Sequence, residues 1–147
     1  PIEIINAMRK LMGQSTSNPS SISQWATVEA LNGSKDFLNL WIESFKERRD
    51  FIVNYLNQCN GISCLNPEGA FYVYPSCEGL IGKEYQGKII SNDKDFAMIL
   101  LKEKLVSVVH GGAFGLSPFF RISYATSMDN IKLACDRIGE LCDEVTS

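Results

Sequence analysis

The stretch PFFRISYATS, residues 118–127, is patterned as a strand and carries one arginine in its middle. Side chains alternate across a strand with a period of two, which puts Phe120, Ile122 and Tyr124 on one face and Phe119, Arg121 and Ser123 on the other. The first face is a continuous apolar stripe that belongs in a core. Arg121 therefore points away from that core, toward water or toward something that requires a fixed positive charge. The strand alone leaves both readings open.

Around this strand the chain alternates short strands and helices. VSVV, residues 106–109, reads as a second strand, and GGAFGLSP between the two as a glycine-rich loop. Ser127 caps a last helix whose apolar positions Ile131, Ala134, Cys135, Ile138, Leu141 and Cys142 recur at helical spacing. Upstream, DKDFAMILLKEKL is a helix with Phe96, Ile99 and Leu100 on one side, and CEGLIGKEYQGKIISND is a loop with a short strand in it. Ile62 to Leu65 and Ala70 to Tyr74 are predicted to pair with each other across the turn at NPEG. The second half is thus a self-contained α/β unit.

Before it, Phe37, Trp41, Phe45, Ile52 and Leu56 recur at spacings of four or seven between Ser34 and a stop at Asn60-Gly61. A helix of about 25 residues is roughly 38 Å long at 1.5 Å per residue. That exceeds what a compact domain of this size needs and predicts a bridging element between two bodies. Two further helices precede it. One carries Ile4, Ile5, Met8, Leu11 and Met12. The other runs from a capping box of Ser21 and Gln24 to about Leu31, and the polar loop GQSTSNPSS separates them.

The chain has 147 residues, 45% hydrophobic and 21% charged, with a net charge of −3. That balance suits an ordinary soluble globular domain and argues against a broad nucleic-acid surface, which needs clustered lysine and arginine. No apolar run approaches the roughly 20 residues that span a bilayer, and the start shows no signal-peptide pattern, so a cytoplasmic location is expected. The five cysteines, 59, 64, 77, 135 and 142, form no C-x-x-C pair and there is a single histidine, so no metal site is expected and the thiols read as reduced and packed. The chain opens on Pro1 directly ahead of a helical pattern, which points to a piece of a longer protein.

Residues able to do chemistry unaided are few. His110 follows VSVV at a strand end, where local bonding or solvation outweighs a catalytic role. Gly111-Gly112-x-x-Gly115 lacks the helix start and the G-K-S/T ending of a phosphate loop. The mixed-sign run Lys46 to Asp50 reads as a solvated helix face.

Four segments in order, QSTSNPSSISQWA, NPEGAFYVYP, VVHGGAFG and PFFRISYATS, with a long helix between the first two, resemble the C-terminal part of a class I pyridoxal-phosphate aminotransferase of the bacterial aspartate aminotransferase type. The resemblance covers nearly the whole chain and implies the C-terminal small domain of the fold type I PLP-transferase fold, an α/β domain with a short mixed or antiparallel sheet covered by helices. Residues 1–47 would be the last large-domain helices and the start of the bridging helix, and residues 48–147 the small domain. It implies that Arg121 holds the substrate α-carboxylate, a role suited to a rigid, always-charged planar fork. Phe71 matches a position near the substrate. Ser17 and Asn18 match a loop that reaches the active site of the neighbouring subunit in a homodimer.

The same resemblance implies pyridoxal 5'-phosphate as cofactor, and amino acids and 2-oxo acids as substrates. The Schiff-base lysine and the main cofactor ligands lie N-terminal to this segment in relatives, so no catalytic residue is assigned here. Lys10 sits on the helix after that lysine's segment, and the chain alone is expected to be inactive. An arginine that binds the side-chain carboxylate in one branch of the family would fall near Gly13, where there is none. His110 stands where glutamine or proline is expected. Three activities follow as alternatives: aspartate aminotransferase within a complete enzyme, a stand-alone domain without catalysis, or another superfamily member such as an aromatic aminotransferase or a β-lyase.

Overall fold

The structure is a computed structural model and describes residues 1–145. It divides into two compact units, Pro1–Asn39 and the chain from Leu40 onward.

The first unit holds α1 (Ile2–Ser15) and α2 (Ser21–Asn32). Neither helix has a buried residue. The apolar stripe Ile4, Ile5, Met8, Leu11 and Met12, like Ile22, Trp25 and Leu31, is exposed. The capping of α2 differs from expectation: Ser20, not Ser21, is the N-cap, and its hydroxyl accepts from Ser23 N–H. Gln24 turns instead to the carbonyl of Pro19, at 2.8 Å. The preceding proline makes this possible by presenting its carbonyl beside the first turn.

Helix α3 (Asp36–Leu56) is 21 residues long. It ends four residues before Asn60-Gly61, because tight turns through Tyr55, Leu56 and Cys59 carbonyls take over from the helical ladder. Its C-terminal half carries the burial: Ile52, Val53 and Leu56 lie in the core, Phe45 is half-buried, and Phe37 and Trp41 are exposed. The charged run is less solvated than its composition suggests. Arg49 is half-buried, pairs with Asp50 at 2.7 Å and reaches the carbonyl of Pro67, while the Arg48 guanidinium lies over Phe45.

The second unit is built on a three-stranded antiparallel sheet. β1 (Tyr72–Val73) pairs with β5 (Phe120–Ser123), which pairs on its other side with β4 (Val109–His110). The anticipated pairing of 62–65 with 70–74 does not form. Instead, Ser63 bridges Ser76, and Asn57 meets both the N–H and the carbonyl of Cys64 through its side-chain amide. The segment's backbone groups are thereby occupied, and β1 is left to pair with β5. VSVV is likewise not a strand throughout. Leu105, at φ 56°, turns the chain in the left-handed region and delays pairing until Val109.

A small hairpin, β2 (Glu84–Tyr85) and β3 (Lys88–Ile89), fills the long connection, followed by α4 (Asp93–Glu103); α5 (Met128–Glu144) closes the described chain. Ser127 caps α5 as anticipated, its hydroxyl accepting from Asn130 N–H. The apolar face of β5, Phe120, Ile122 and Tyr124, is buried with Val73, Phe96, Leu100, Ile131, Cys135, Ile138 and Leu141 in one core. Phe96 meets Phe120 edge to face at 5.1 Å. With that face committed to the core, the other face of β5 presents its side chains outward.

No helix among the described residues is long and apolar enough to cross a membrane. Among them, no group of three or more His, Cys, Asp or Glu is placed to hold a metal. All five cysteines are free thiols.

Candidate functional site

On the outward face of β5, Arg121 is half-buried. The register that sets Tyr72 opposite Ser123 and Val73 opposite Ile122 brings Tyr74 level with Arg121 on the same face. Two aromatic rings clasp the guanidinium: its carbon lies 4.5 Å from the centroid of Tyr72 and 4.5 Å from that of Phe114. Each such contact contributes about 0.5–1 kcal/mol near a surface and more once water is excluded.

Tyr74 and Phe119 back this pair. They stack at 5.6 Å and 11°, Tyr74 meets Phe114 edge to face, and the Tyr74 hydroxyl donates to the Gly111 carbonyl at 3.3 Å. Burial, helped by the nearby Asp93 charge and opposed by Arg121, raises the Tyr74 phenol above its ordinary pKa. It stays protonated and available as a donor.

Phe114 is delivered by a short 3-10 turn, Gly111–Phe114, between β4 and β5. A side chain at Gly111 would run into the carbonyls of Leu116 and Phe119 and the Tyr74 hydroxyl, so only glycine allows the loop this close to the sheet. The sequence pattern had invited a phosphate loop. In the structure the Gly112 N–H is occupied by the Asp93 carboxylate at 2.7 Å, so the loop already holds an anion of its own.

No carboxylate lies within salt-bridge reach of Arg121 among the described residues, and none of its guanidinium nitrogens is engaged in a hydrogen bond. The guanidinium thus lies against two aromatic rings while its N–H donors make no hydrogen bond to the described chain. Such geometry suits a carboxylate accepting two parallel hydrogen bonds.

Of the other residues singled out from sequence, Phe71 is 43% exposed and its ring lies 4.5 Å from that of Tyr72, one ring removed from the guanidinium. Phe71 also borders a hollow with Phe45, Arg49, Pro67 and Tyr124. Ser17 and Asn18 follow α1 in the first unit, both exposed. Ser17 ends that helix: it adopts φ 57° and its N–H donates to the Met12 carbonyl at 2.8 Å. His110 is partly exposed and its Nδ1 stands 3.7 Å from Asp93. Tyr72, Tyr74 and Phe114 were missed by sequence reasoning. Period-two patterning marks Tyr72 and Tyr74 as sharing a face, but nothing local says that the face belongs to Arg121's side of the sheet.

Lysine chemistry is absent from this surface. Lys104, whose side chain is 12% exposed, is held by Glu144 at 2.6 Å and Glu140 at 3.4 Å. The donors around Arg121 are aromatic rings and a single cation, without a phosphate cradle. By themselves the residues described here do not make a site for pyridoxal phosphate.

An antiparallel sheet buried on one face by helices, with an arginine set against two aromatic rings on the other, defines a small α/β domain. The aminotransferase class I and II family profile matches residues 2–138, and the chain belongs to that family. A probable aspartate/prephenate aminotransferase of Rhizobium leguminosarum bv. phaseoli is 56% identical over 97% of this chain and 36% of its own length. The crystal structure of the aspartate aminotransferase from Rhizobium meliloti superposes with a TM-score of 0.94 at 53% identity, over 99% of this chain and 37% of that one. An aromatic aminotransferase from Pyrococcus horikoshii OT3 superposes at 0.80 with 29% identity, over 98% of this chain and 37% of that one. The fold is that of the fold type I aminotransferases, and the chain spans about a third of the length of these relatives.

Proposed function

We propose that this chain carries the substrate-carboxylate site of a pyridoxal-phosphate-dependent aminotransferase that exchanges an amino group between aspartate and 2-oxoglutarate. The observation that carries this reading is Arg121, set against the rings of Tyr72 and Phe114 with its N–H donors unbonded within the described chain. An amino acid and its 2-oxo acid share one feature, the α-carboxylate, and a site that must accept both in turn has to read that feature. Two parallel charge-assisted hydrogen bonds fix the carboxylate plane and thereby the Cα geometry at which a proton is removed. The lysine and phosphate-binding residues that such an enzyme needs are supplied from outside these 147 residues.

In this reading the chain is the C-terminal portion of the enzyme. Residues 1–47 contribute large-domain helices and the start of a bridging helix, and residues 48–147 form the small domain. The exposed apolar stripes of α1 and α2 support it, since amphipathic helices of this kind are built to be covered. Phe71 lines the substrate side next to Tyr72, and Ser17 and Asn18 serve the active site of a second subunit in a cytoplasmic homodimer.

The test is a substrate panel on the complete enzyme. Aspartate and glutamate should exceed phenylalanine in kcat/KM. A second reading, an aromatic or prephenate-type substrate, is favoured by the rings of Phe71, Tyr72 and Phe114 on the approach to Arg121. Preference for aromatic substrates over aspartate would establish that reading and refute the first. Turnover by the isolated 147-residue chain would refute the assignment of the catalytic lysine to residues outside it.

A further inference from the structure

Asp93 opens α4 and is 3% exposed. A carboxylate withdrawn from water costs several kcal/mol unless its lone pairs are met. One loop meets them. The Gly112 N–H donates to Oδ2 at 2.7 Å, the Ser117 hydroxyl donates to Oδ1 at 2.5 Å, and His110 Nδ1 stands 3.7 Å from Oδ2. Burial by itself would raise this carboxyl. The hydrogen bonds from Ser117 and Gly112, with the charge of His110, more than offset it and hold Asp93 below its ordinary pKa, so it is ionised at neutral pH.

These three partners bracket residues 110–117 at both ends. Gly111 anchors the start of the loop through its N–H to the Phe119 carbonyl at 2.6 Å and its carbonyl to the Tyr74 hydroxyl. Ala113, Phe114, Gly115 and Leu116 are all exposed, so burial does not anchor the rest, and the bonds to Asp93 tie Gly112 and Ser117 on either side of it. Yet this loop sets Phe114 at 4.5 Å from the Arg121 guanidinium. A ring displaced by an ångström or two forfeits most of that contact and frees the fork to rotate.

We propose that Asp93 is a positioning residue for substrate recognition: it clamps the 110–117 loop so that Phe114 caps the Arg121 guanidinium and fixes the orientation of its donor edge. This rests on the reading that Arg121 binds the substrate carboxylate. Asp93 bonds Gly112 and Ser117 and not Arg121, and acts through the loop.

The variant Asp93→Asn keeps the shape and leaves one acceptor oxygen for two donors. Ser117→Ala is a milder companion that removes one donor from an exposed position. The first readout is the Arg121 Nε–Hε signal in nitrogen-15 NMR of the 147-residue chain, which two ring faces shift upfield. Asp93→Asn should remove the share of that shift that Phe114→Ala removes, Ser117→Ala should remove part of it, and the double variant D93N/F114A should remove no more than F114A alone.

In the complete enzyme, D93N should raise KM for amino and oxo acid alike by about fivefold, the equivalent of one cation–π contact, with kcat changed less than about twofold. Combined with F114A it should add nothing, since both act through one contact. An Arg121 signal unmoved in D93N and S117A, or additive effects in the double variant, would overturn the clamp. A signal that moves while KM stays constant would uphold the clamp and refute Arg121 as the carboxylate ligand.

Discussion

Replacing Arg121 is the perturbation that bears most directly on function. Arg121→Ala removes a guanidinium that is half-buried and stacked at 4.5 Å on each of two rings. Truncating one partner of a buried, hydrogen-bonded charge pair costs about 2–5 kcal/mol. The guanidinium is half-buried and not fully enclosed, which places the expected loss at about 2–4 kcal/mol, or roughly 30- to 700-fold in kcat/KM. Arg121→Lys separates charge from shape. It keeps the cation, loses the planar fork and most of the double stacking, and should fall between wild type and alanine. The assay is steady-state transamination by the complete enzyme, with kcat/KM measured separately for an amino donor and an oxo-acid acceptor. Both carry the α-carboxylate, so both should lose the same factor. A loss confined to one of the two substrates, or a change smaller than about threefold in the alanine variant, refutes the carboxylate role.

Gly111→Ala should destabilise the chain by about 1–3 kcal/mol, read as a lower urea midpoint, because the new methyl meets the Phe119 carbonyl at 2.7 Å and the Tyr74 hydroxyl at 2.9 Å with no flexible neighbour to yield. Of the five thiols, Cys59 should react first with a thiol reagent in the native state: it is the one not buried, and its hydrogen bond with Cys142 lowers its pKa, whereas burial pushes Cys77 and Cys135 up to about 12 and Cys64 up to about 11. Rapid modification of two or more thiols would contradict the packing described. Asp93, held below its ordinary pKa when folded, contributes stability that is present above the ordinary aspartate range and is lost as pH falls through the folded value. Denaturation curves between pH 7 and pH 3 should therefore show a steeper acid loss in wild type than in Asp93→Asn, and equal slopes would refute it.

Sequence patterning located the helices because their signals are local. The α5 stripe of Ile131, Cys135, Ile138, Leu141 and Cys142 is buried as its spacing implied, and Ser127 caps the helix with the bond its position required. The failures lie where a neighbour distant in sequence took over. Cys64 bonds the side chain of Asn57, so the expected 62–65 strand has no ladder with 70–74. Trp41 and Phe37 have the spacing of a core stripe on α3 and are nonetheless exposed, whereas Ile52, Val53 and Leu56 on the same helix are buried.

The site divides along the same line. From residues 118–127 alone the face of Arg121 was fixed, since a period of two admits one assignment once Phe120, Ile122 and Tyr124 are claimed by the core. What Arg121 meets there was not in the strand. Tyr72 and Tyr74 arrive from nearly fifty residues upstream through the β1–β5 register, and Phe114 arrives through a loop held by Asp93, a residue of another helix. Alternation is a property of one strand and can be read along it. Register and loop placement depend on which backbone groups and buried charges find partners across the fold, and only the tertiary structure decides that.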